Sequence, residues 1–242
     1  MTTIAAEVSN LKKSFGSNQV LKDISLQINK GENLVIFGKS GSGKSVLIKC
    51  LIGLINPDEG HISLLGTDIS EISNTALNTL RKKVGFLFQS AALYDSMTVR
   101  ENLEFPLRDL PSKTREEMDG LVSEALKSVG LLDAIDKMPS ELSGGMRKRV
   151  GLARTLILQP EIILYDEPTT GLDPITSREI SQLILDVQKK YNAASVIITH
   201  DVECARITAN RMIVIKEGTT VAEGTFDELS VSSDEWVRSF FK

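Results

Sequence analysis

The sequence predicts an α/β fold around a mainly parallel sheet, and three observations indicate it. Apolar runs at 33–38, 161–167 and 194–200 have the length and composition of buried strands. The segment 177–191, between two of these runs, has the pattern of an amphipathic helix, and a glycine-rich loop at 38–45 joins the first run to another helix. Because parallel strands are connected by helical crossovers, this alternation predicts a sheet covered by helices on both faces.

The N-terminal region predicts antiparallel strands in addition to the parallel sheet. Residues 20–30 alternate apolar and polar side chains imperfectly, and 61–66 and 84–89 also have the composition of strands. Near the C-terminus, the segment 211–224 predicts a pair of strands that turn near Glu217, and a short helix is expected after it.

The middle of the chain has helical periodicity. From 115 to 131 the apolar residues recur at i, i+3, i+4, i+7, i+8 and i+11, which is one face of a helix. Another helix is expected after Gly144. The segment from about 90 to 158 is therefore predicted to be a helical insertion.

The composition is that of a globular protein that does not span a membrane by itself. Of its 242 residues 41% are hydrophobic and 25% charged, and no run approaches 18 consecutive apolar residues. The net charge of −4 argues against a nucleic-acid-binding surface. Cys50 and Cys204 are too few for a disulfide framework, which fits a reducing cytoplasm, and each is expected to be a buried apolar residue. His61 is expected on the surface.

The glycine-rich loop "GKSGSGKS" (38–45) matches the phosphate-binding pattern G-x-x-x-x-G-K-[ST], with a strand before it and a helix after it. Glycines let backbone N–H groups surround a phosphate, the lysine adds a positive charge, and the last hydroxyl can bind Mg²⁺. This context predicts a nucleoside triphosphate site, whose phosphate-binding residues are expected to be Gly38, Ser40, Gly41, Gly43, Lys44, Ser45 and Val46.

Two adjacent carboxylates, Asp166 and Glu167, stand at the C-terminal end of an apolar strand. Ligands of open parallel sheets bind at this edge, beside the glycine loop if the two strands are neighbours. Successive strand residues point to opposite faces, so the two carboxylates should have different roles. We expect Asp166 to hold Mg²⁺ and Glu167 to face the γ-phosphate and polarise a water; a plain turn after a strand is the alternative.

Gln89 and His200 end two other strand runs. The amide of Gln89 is expected to reach the metal and the attacking water, and His200 the γ-phosphate; a polar cap and a structural strand end are their alternatives. Asp173 is predicted to cap a helix whose first residue is Pro174, which leaves room for an additional role at a subunit contact. Asp201 is predicted to cap the helix after His200.

Taken together, "GKSGSGKS", Gln89, "LSGGM" (142–146), "ILYDEP", "GLD" and His200 resemble the nucleotide-binding subunit of ABC transporters. The order and approximate spacing match, and "LSGGM" is the specific element, because many P-loop ATPases lack it. The resemblance implies a P-loop NTPase fold, with a RecA-like core, an antiparallel β subdomain and a helical signature subdomain. Residues 1–242 would form one domain, with the core and β subdomain at about 1–89 and 159–242 and the helical subdomain at about 90–158.

The same resemblance implies a homodimer in which two copies pair head to tail. Each ATP, with Mg²⁺, would lie between the phosphate loop of one copy and the signature residues Ser143, Gly144 and Gly145 of the other. A serine and glycines at a helix start suit this role, because they offer unpaired N–H groups and the positive end of the helix dipole. Phe15 matches the aromatic residue on which the family stacks adenine; a core phenylalanine is the alternative.

Within the family, the segment 87–108, Met146 and "GLDPITS" are similar to ATPases of Mce-associated lipid transport, including the maintenance-of-lipid-asymmetry system. This implies an integral membrane permease and an Mce-domain lipid-binding protein as partners, phospholipid as cargo, and a position on the cytoplasmic face of the inner membrane. The segment 89–108 would contact the permease, although simple packing is the alternative. Lys39 and "DEPTTGLD" depart from the usual family residues without removing a catalytic group.

Three other functions stay open at this point. An ABC importer for another cargo, such as an amino acid, would share every motif. A non-transport ABC ATPase acting on DNA or ribosomes would be expected to have coiled-coil inserts or two cassettes, and a basic surface. A small-molecule kinase would use the phosphate loop but leave "LSGGM", Gln89 and His200 without a role.

Overall fold

The structure is a computed structural model that describes residues 3–108 and 113–241. Its strands are β1 (Ile4–Phe15), β2 (Asn18–Asn29), β3 (Asn33–Phe37), β4 (Glu59–Leu64), β5 (Thr67–Asp68), β6 (Val84–Leu87), β7 (Ile162–Asp166), β8 (Ala194–Thr199), β9 (Arg211–Lys216) and β10 (Thr219–Gly224). Its α-helices are α1 (Lys44–Leu51), α2 (Asn74–Arg81), α3 (Val99–Glu104), α4 (Arg115–Ser128), α5 (Gly144–Leu156), α6 (Pro174–Tyr191), α7 (Val202–Thr208), α8 (Phe226–Ser230) and α9 (Glu235–Arg238).

The strands of the described residues form one sheet in the order β5-β4-β1-β2-β10-β9-β3-β8-β7-β6. From β9 to β6 all neighbours are parallel, whereas β1, β2, β4 and β5 pair antiparallel. The two halves meet where Thr219 of β10 pairs with Asp23 of β2. The predicted combination of a parallel core and antiparallel strands is therefore confirmed, and both kinds of strand belong to one continuous sheet.

The central strands are buried on both faces, which explains their nearly unbroken apolar sequences. In β3, Leu34 and Ile36 pack on one side with α1, whereas Val35 and Phe37 pack on the other side with α5 and α6. The helix predicted at 115–131 is α4, and its Val122 and Leu126 are fully buried in the same cluster as Val35 and Phe37; the amphipathic helix predicted at 177–191 is within α6. The helices between 90 and 158 thus share their core with the sheet.

Several local predictions are confirmed. Both cysteines are buried and free, and the side chain of His61 is largely exposed. The turn between β9 and β10 places Glu217 and Gly218 at positive φ. Asp173 caps α6 and Asp201 caps α7 through backbone N–H groups.

The structure changes two expectations: which strands are neighbours, and whether the polar site residues belong to the strands. The strand β7 is not next to β3, because β8 lies between them. Gln89, Glu167 and His200 are not strand residues: they lie one or two positions beyond β6, β7 and β8. The short strand β5 and the helix α2 were not predicted, α3 lies within the segment predicted to be helical, and two short helices, α8 and α9, follow β10 where one was expected. None of the helices within 3–108 and 113–241 combines the length and apolarity that crossing a bilayer would need.

Candidate nucleotide site

An open cleft of about 290 Å³ lies at the C-terminal ends of the central parallel strands. It combines glycines and hydroxyls from the loop between β3 and α1 with side chains that follow β6, β7 and β8. Its lining residues are Val20, Ser40, Gly41, Gly43, Lys44, Ser45, Val46, Gln89, Glu167 and His200. Apart from Val20, every one of these was predicted from the sequence.

The loop of the cleft requires glycine for its backbone shape. Gly41 has φ 80° and no atom within 4 Å of where a Cβ would stand, so it leaves the cleft open. Gly43 has φ 102°, and a Cβ there would lie 2.9 Å from the carbonyl oxygen of Val20. Positive φ and close approach are both accessible to glycine alone at low cost. The loop therefore presents its backbone, rather than side chains, to a phosphate.

Lys44 is buried at the start of α1, and its ammonium is held by the loop itself. Its Nζ donates to the carbonyl oxygens of Gly38 at 2.8 Å and of Lys39 at 3.0 Å. Burial lowers the pKa of Lys44, and the negative charges of Glu167 and Asp166 act in the opposite direction. The side chain of Lys39 is exposed, so its departure from the family pattern leaves this arrangement intact.

Asp166 ends β7 and is linked to the phosphate loop across the intervening strand. The hydroxyl of Ser45 donates to Asp166 Oδ1 at 3.2 Å. Burial raises the pKa of this carboxyl, although the Ser45 hydroxyl lowers it. A hydroxyl, a carboxylate and the amide oxygen of Gln89 are hard oxygen donors of the kind that Mg²⁺ prefers, so these residues fit that ion.

Glu167 lies just after β7 in a left-handed backbone conformation, with φ 50°. Its N–H donates to the carbonyl oxygen of Ile198, which anchors it to β8. Its Oε2 contacts His200 Nδ1 at 2.8 Å and accepts a hydrogen bond from the Thr170 hydroxyl at 3.1 Å. The side chain is thereby fixed by one oxygen and has Oε1 left for chemistry in the cleft.

The two carboxylates were expected to have different roles, and those roles stay a prediction. The carboxylates do have different partners, Ser45 for Asp166 and His200 with Thr170 for Glu167. The reason given from the sequence is wrong, because Glu167 is outside the strand and its backbone has turned. Thr170, within the unusual "DEPTTGLD" turn, was not predicted to touch Glu167; its i+3 spacing from that residue was the available signal.

Lys148 of α5 is a further residue that the sequence did not single out. It is only 5% exposed, and its Nζ donates to the backbone oxygen of Glu167 at 3.1 Å. Burial lowers its pKa to about 8, against the opposing effect of Asp166 and Glu167. Lys148 is three residues after Gly145 and four before Leu152, so it lies on the buried face of α5. A lysine at such a position is unusual, because lysine side chains are rarely buried.

The signature residues do not line the cleft of their own chain. Ser143 is exposed and caps α5, accepting a hydrogen bond from Met146 N at 3.2 Å. Gly145 is buried against Thr176 of α6, and the neighbouring Gly144 is exposed. Asp173 also lies outside the cleft lining.

Phe15 ends β1 and is not among the lining residues of the cleft, and half of its surface is exposed. Lys13 Nζ lies 5.4 Å from the centre of its ring. The alternative of a core phenylalanine is therefore wrong. A half-exposed ring beside a lysine is free to stack on a planar base.

Comparison with known proteins decides the family. The profile of the family described as "ABC transporter" matches residues 21–170, which is more than half of the chain. This chain belongs to the ABC transporter family. Its match includes the phosphate loop, Gln89, the signature and both carboxylates. The family resemblance read from the motifs is confirmed, and the chain is an ATP-binding ATPase of that family.

Curated ABC relatives match nearly the whole chain. The probable ribonucleotide transport ATP-binding protein mkl of Mycobacterium leprae is 45% identical over 98% of this chain and 68% of its own length. The intermembrane phospholipid transport system ATP-binding protein MlaF of Haemophilus influenzae is 39% identical over 98% and 89%. The methionine import ATP-binding protein MetN of Rhizobium johnstonii is 41% identical over 90% and 60%.

A solved ABC structure confirms the fold class. It is a dimeric, post-hydrolysis state of the ATP-binding cassette MJ0796 bound to ADP and Pi. It matches with a TM-score of 0.83 and 32% identity, covering 91% of this chain and 98% of the other.

Proposed function

We propose that this ABC ATPase is the energy-coupling subunit of a phospholipid transporter, peripheral to the cytoplasmic face of the inner membrane. The observation that carries the proposal is the match to MlaF, a protein named for intermembrane phospholipid transport, over 89% of its length. The division into a core with a β subdomain and a helical subdomain at about 90–158 is part of this proposal. The partners would be a second copy, an integral membrane permease and an Mce-domain lipid-binding protein.

The second copy would complete the nucleotide site. Ser143 and Gly144 are exposed at the start of α5 and are absent from the cleft lining of their own chain. They offer a hydroxyl and helix N-terminal N–H groups, which suit a phosphate. The solved MJ0796 cassette is a dimer, which supports pairing. Asp173, also exposed, would lie at the same contact, and Phe15 would stack on adenine.

The cleft residues have distinct roles in hydrolysis. Lys44 binds the β- and γ-phosphate oxygens with an ammonium that the loop already holds in place. Glu167 accepts the proton of the attacking water at Oε1, while its Oε2 stays bonded to His200 and Thr170. When both ring nitrogens of His200 carry protons, Nδ1 donates to Glu167 and Nε2 can donate to a γ-phosphate oxygen.

The metal would be held by Ser45, Asp166 and Gln89. When bound, Mg²⁺ supplies positive charge that stabilises the triphosphate during phosphoryl transfer. Gln89 follows β6 and lines the cleft, and the chain after it leads to the protein surface at Tyr94 and Phe105. Gln89 therefore connects the cleft to that surface.

That surface carries two exposed aromatic rings, Tyr94 and Phe105, whose centres are 4.6 Å apart. The buried side chain of Asn102 holds the segment behind them: its Nδ2 donates to the carbonyl oxygens of Tyr94, Met97 and Thr98, and its Oδ1 accepts from Tyr94 N. A segment that follows Gln89, is held by these hydrogen bonds and presents aromatic rings suits contact with a permease.

Co-purification tests the proposal. The tagged chain, extracted in mild detergent with its natural membrane, should bring down a polytopic protein and an Mce-domain protein. The double change Tyr94→Ala with Phe105→Ala should lose the permease and retain ATP binding, whereas Val231→Ala, at another exposed apolar residue, should lose neither. Recovery of DNA or ribosomal RNA, or of no partner at all, would contradict the proposal.

The names of two relatives favour a second candidate, an importer of a soluble cargo such as a ribonucleotide or an amino acid. The two candidates differ in what stimulates ATP hydrolysis by the purified complex. A phospholipid transporter should respond to phospholipid and to its Mce-domain protein. Stimulation by a soluble solute-binding protein would favour the importer instead.

A further inference from the structure

A buried lysine joins the signature helix to the backbone of Glu167, the expected catalytic base of the same chain. Lys148 is on α5, the helix that begins at Ser143, and is 5% exposed. Its Nζ donates to the backbone oxygen of Glu167 at 3.1 Å, and the charges of Asp166 and Glu167 act on it. A buried charge is costly, and an apolar side chain would fill this place more favourably for stability alone.

The backbone of Glu167 needs such a partner. Its φ of 50° is uncommon for a residue with a side chain, and the following Pro168 ordinarily favours an extended conformation for the residue before it. The N–H of Glu167 is bonded to Ile198 and its carbonyl oxygen to Lys148. These two bonds, one to β8 and one from α5, hold the strained backbone of Glu167 in the orientation that places its carboxylate in the cleft.

The helix is short and stiff between its two functional points. Ser143 and Lys148 are five positions apart, about 7.5 Å along the axis. Gly145, between them, is packed so closely on Thr176 that a Cβ would stand 2.5 Å from its Cγ2. Val150 and Leu152, beyond Lys148, are buried in the core. A force on Ser143 is therefore passed along α5 rather than absorbed by a loop.

We propose that Lys148 is a positioning residue that couples the two ATP sites of the dimer: phosphate bound by Ser143 across the interface shifts α5, and Lys148 carries the shift to Glu167 in the chain's own site. The inference rests on the proposed dimer. It deepens that proposal by naming the route through which one site reports its occupancy to the other. Lys148 does not touch the substrate.

The test is a set of variants of the full chain in steady-state ATP hydrolysis. Lys148→Met should lower kcat by about 10- to 100-fold, as expected for loss of a charge-assisted hydrogen bond, with the KM for ATP within about twofold of wild type. Lys148→Arg, which keeps the positive charge and the N–H donors, should have most of the wild-type turnover. Lys148→Gln, which keeps a neutral donor, should have a turnover between those of wild type and Lys148→Met, and it replaces Lys148→Met in the test if that variant does not fold. Lys127→Met, the same change at an exposed lysine of α4, is the control.

A double-mutant cycle with Ser143→Ala separates coupling from mere support of the fold. If Lys148 transmits the effect of Ser143, Ser143→Ala with Lys148→Met lowers kcat little more than the stronger single change. The inference would be overturned if the fold-reductions in kcat of the two single variants multiply in the double variant, or if Lys148→Met has wild-type turnover. Size-exclusion chromatography of Glu167→Gln with ATP tests the dimer separately from the coupling. If no ATP-dependent dimer forms, the proposed dimer is wrong. If the dimer forms but the two substitutions reduce kcat independently, only the coupling through Lys148 is wrong.

Discussion

Gly145→Ala is the perturbation whose effect the structure defines best. A Cβ at this position would lie 2.5 Å from Thr176 Cγ2, where ordinary contacts begin at 3.4 Å, so about 0.9 Å of movement is needed. Thr176 cannot simply turn away. Its N–H donates to Asp173 Oδ1 at 3.0 Å and its hydroxyl to Asp173 Oδ2 at 2.6 Å. The start of α5 must therefore move instead.

The magnitude follows from two opposed effects. Overpacking of this kind costs about 1–3 kcal/mol in the free energy of unfolding. Replacing glycine by alanine within a helix returns about 0.5–1 kcal/mol, so a net loss of about 1 kcal/mol is expected. The displacement also moves Ser143, and a misplacement of about 1 Å can reduce turnover by about 10²-fold. Activity should therefore fall much more than stability.

Urea unfolding and ATP hydrolysis by the same preparation check this prediction. Thr176→Ser removes Cγ2 while keeping the hydroxyl for Asp173, so combining it with Gly145→Ala should restore most of both quantities. Gly120→Ala, a helical glycine with no atom within 4 Å of the added Cβ, is the control and should leave turnover unchanged. Wild-type turnover in Gly145→Ala, or no rescue by Thr176→Ser, would refute the reasoning.

Three further outcomes are expected. Glu167→Gln should lower kcat by about 10²–10⁴ with ATP affinity retained, since its amide oxygen can still accept from His200 and Thr170. Phe15→Ala should weaken ATP binding by about 5- to 100-fold in calorimetry, through loss of base stacking, with kcat unchanged. Burial lowers the pKa of Lys148 in the folded protein to about 8, from an ordinary 10.5. Between pH 8 and 10.5, Lys148 is therefore protonated in the unfolded state and mostly deprotonated in the folded state. Stability of wild type relative to Lys148→Met should then rise with pH, by up to about 1.4 kcal/mol per unit.

Each of these outcomes has a clear contrary result. Near-normal hydrolysis in Glu167→Gln would remove the general base from the mechanism. Unchanged ATP affinity in Phe15→Ala would leave its ring without a nucleotide role. A pH-independent difference in urea unfolding between wild type and Lys148→Met would mean that Lys148 titrates as an ordinary exposed lysine.

Local patterns in the sequence predicted the elements well but not the order of the strands. The loop at 38–45, the helix cap at Asp173 and the apolar face of α4 depend on residues close in sequence, and each is confirmed. That β8 lies between β3 and β7 depends on pairing between distant segments. The spacing of residues along the chain does not specify which strands pair. Whether the strands of the glycine loop and of the carboxylates are neighbours could therefore not be decided from the sequence.

Glu167 shows why a site can be correct in its residues and wrong in its geometry. Period-two alternation assigned it to the face opposite Asp166, and the following Pro168 also favoured an extended backbone. The positive φ arises because distant groups, the carbonyl oxygen of Ile198 and the ammonium of Lys148, bind its two peptide groups. Neither partner is adjacent in sequence. Tertiary hydrogen bonds thus override the local preference where the chemistry needs it.

The same junction explains why the signature and the catalytic base belong on one chain although they would serve different nucleotides. Glu167 is held from three directions along the chain: by β8 and the residue after it through Ile198 and His200, by α5 through Lys148, and by the turn before α6 through Thr170. The N-terminus of α5 carries Ser143, and the cap of α6 is Asp173, both exposed. Two of these elements, α5 and the turn before α6, therefore also carry a residue expected to meet the partner. A partner that arrives with ATP would tighten both supports together, so each chain would be set to hydrolyse its own ATP only when the other site is filled.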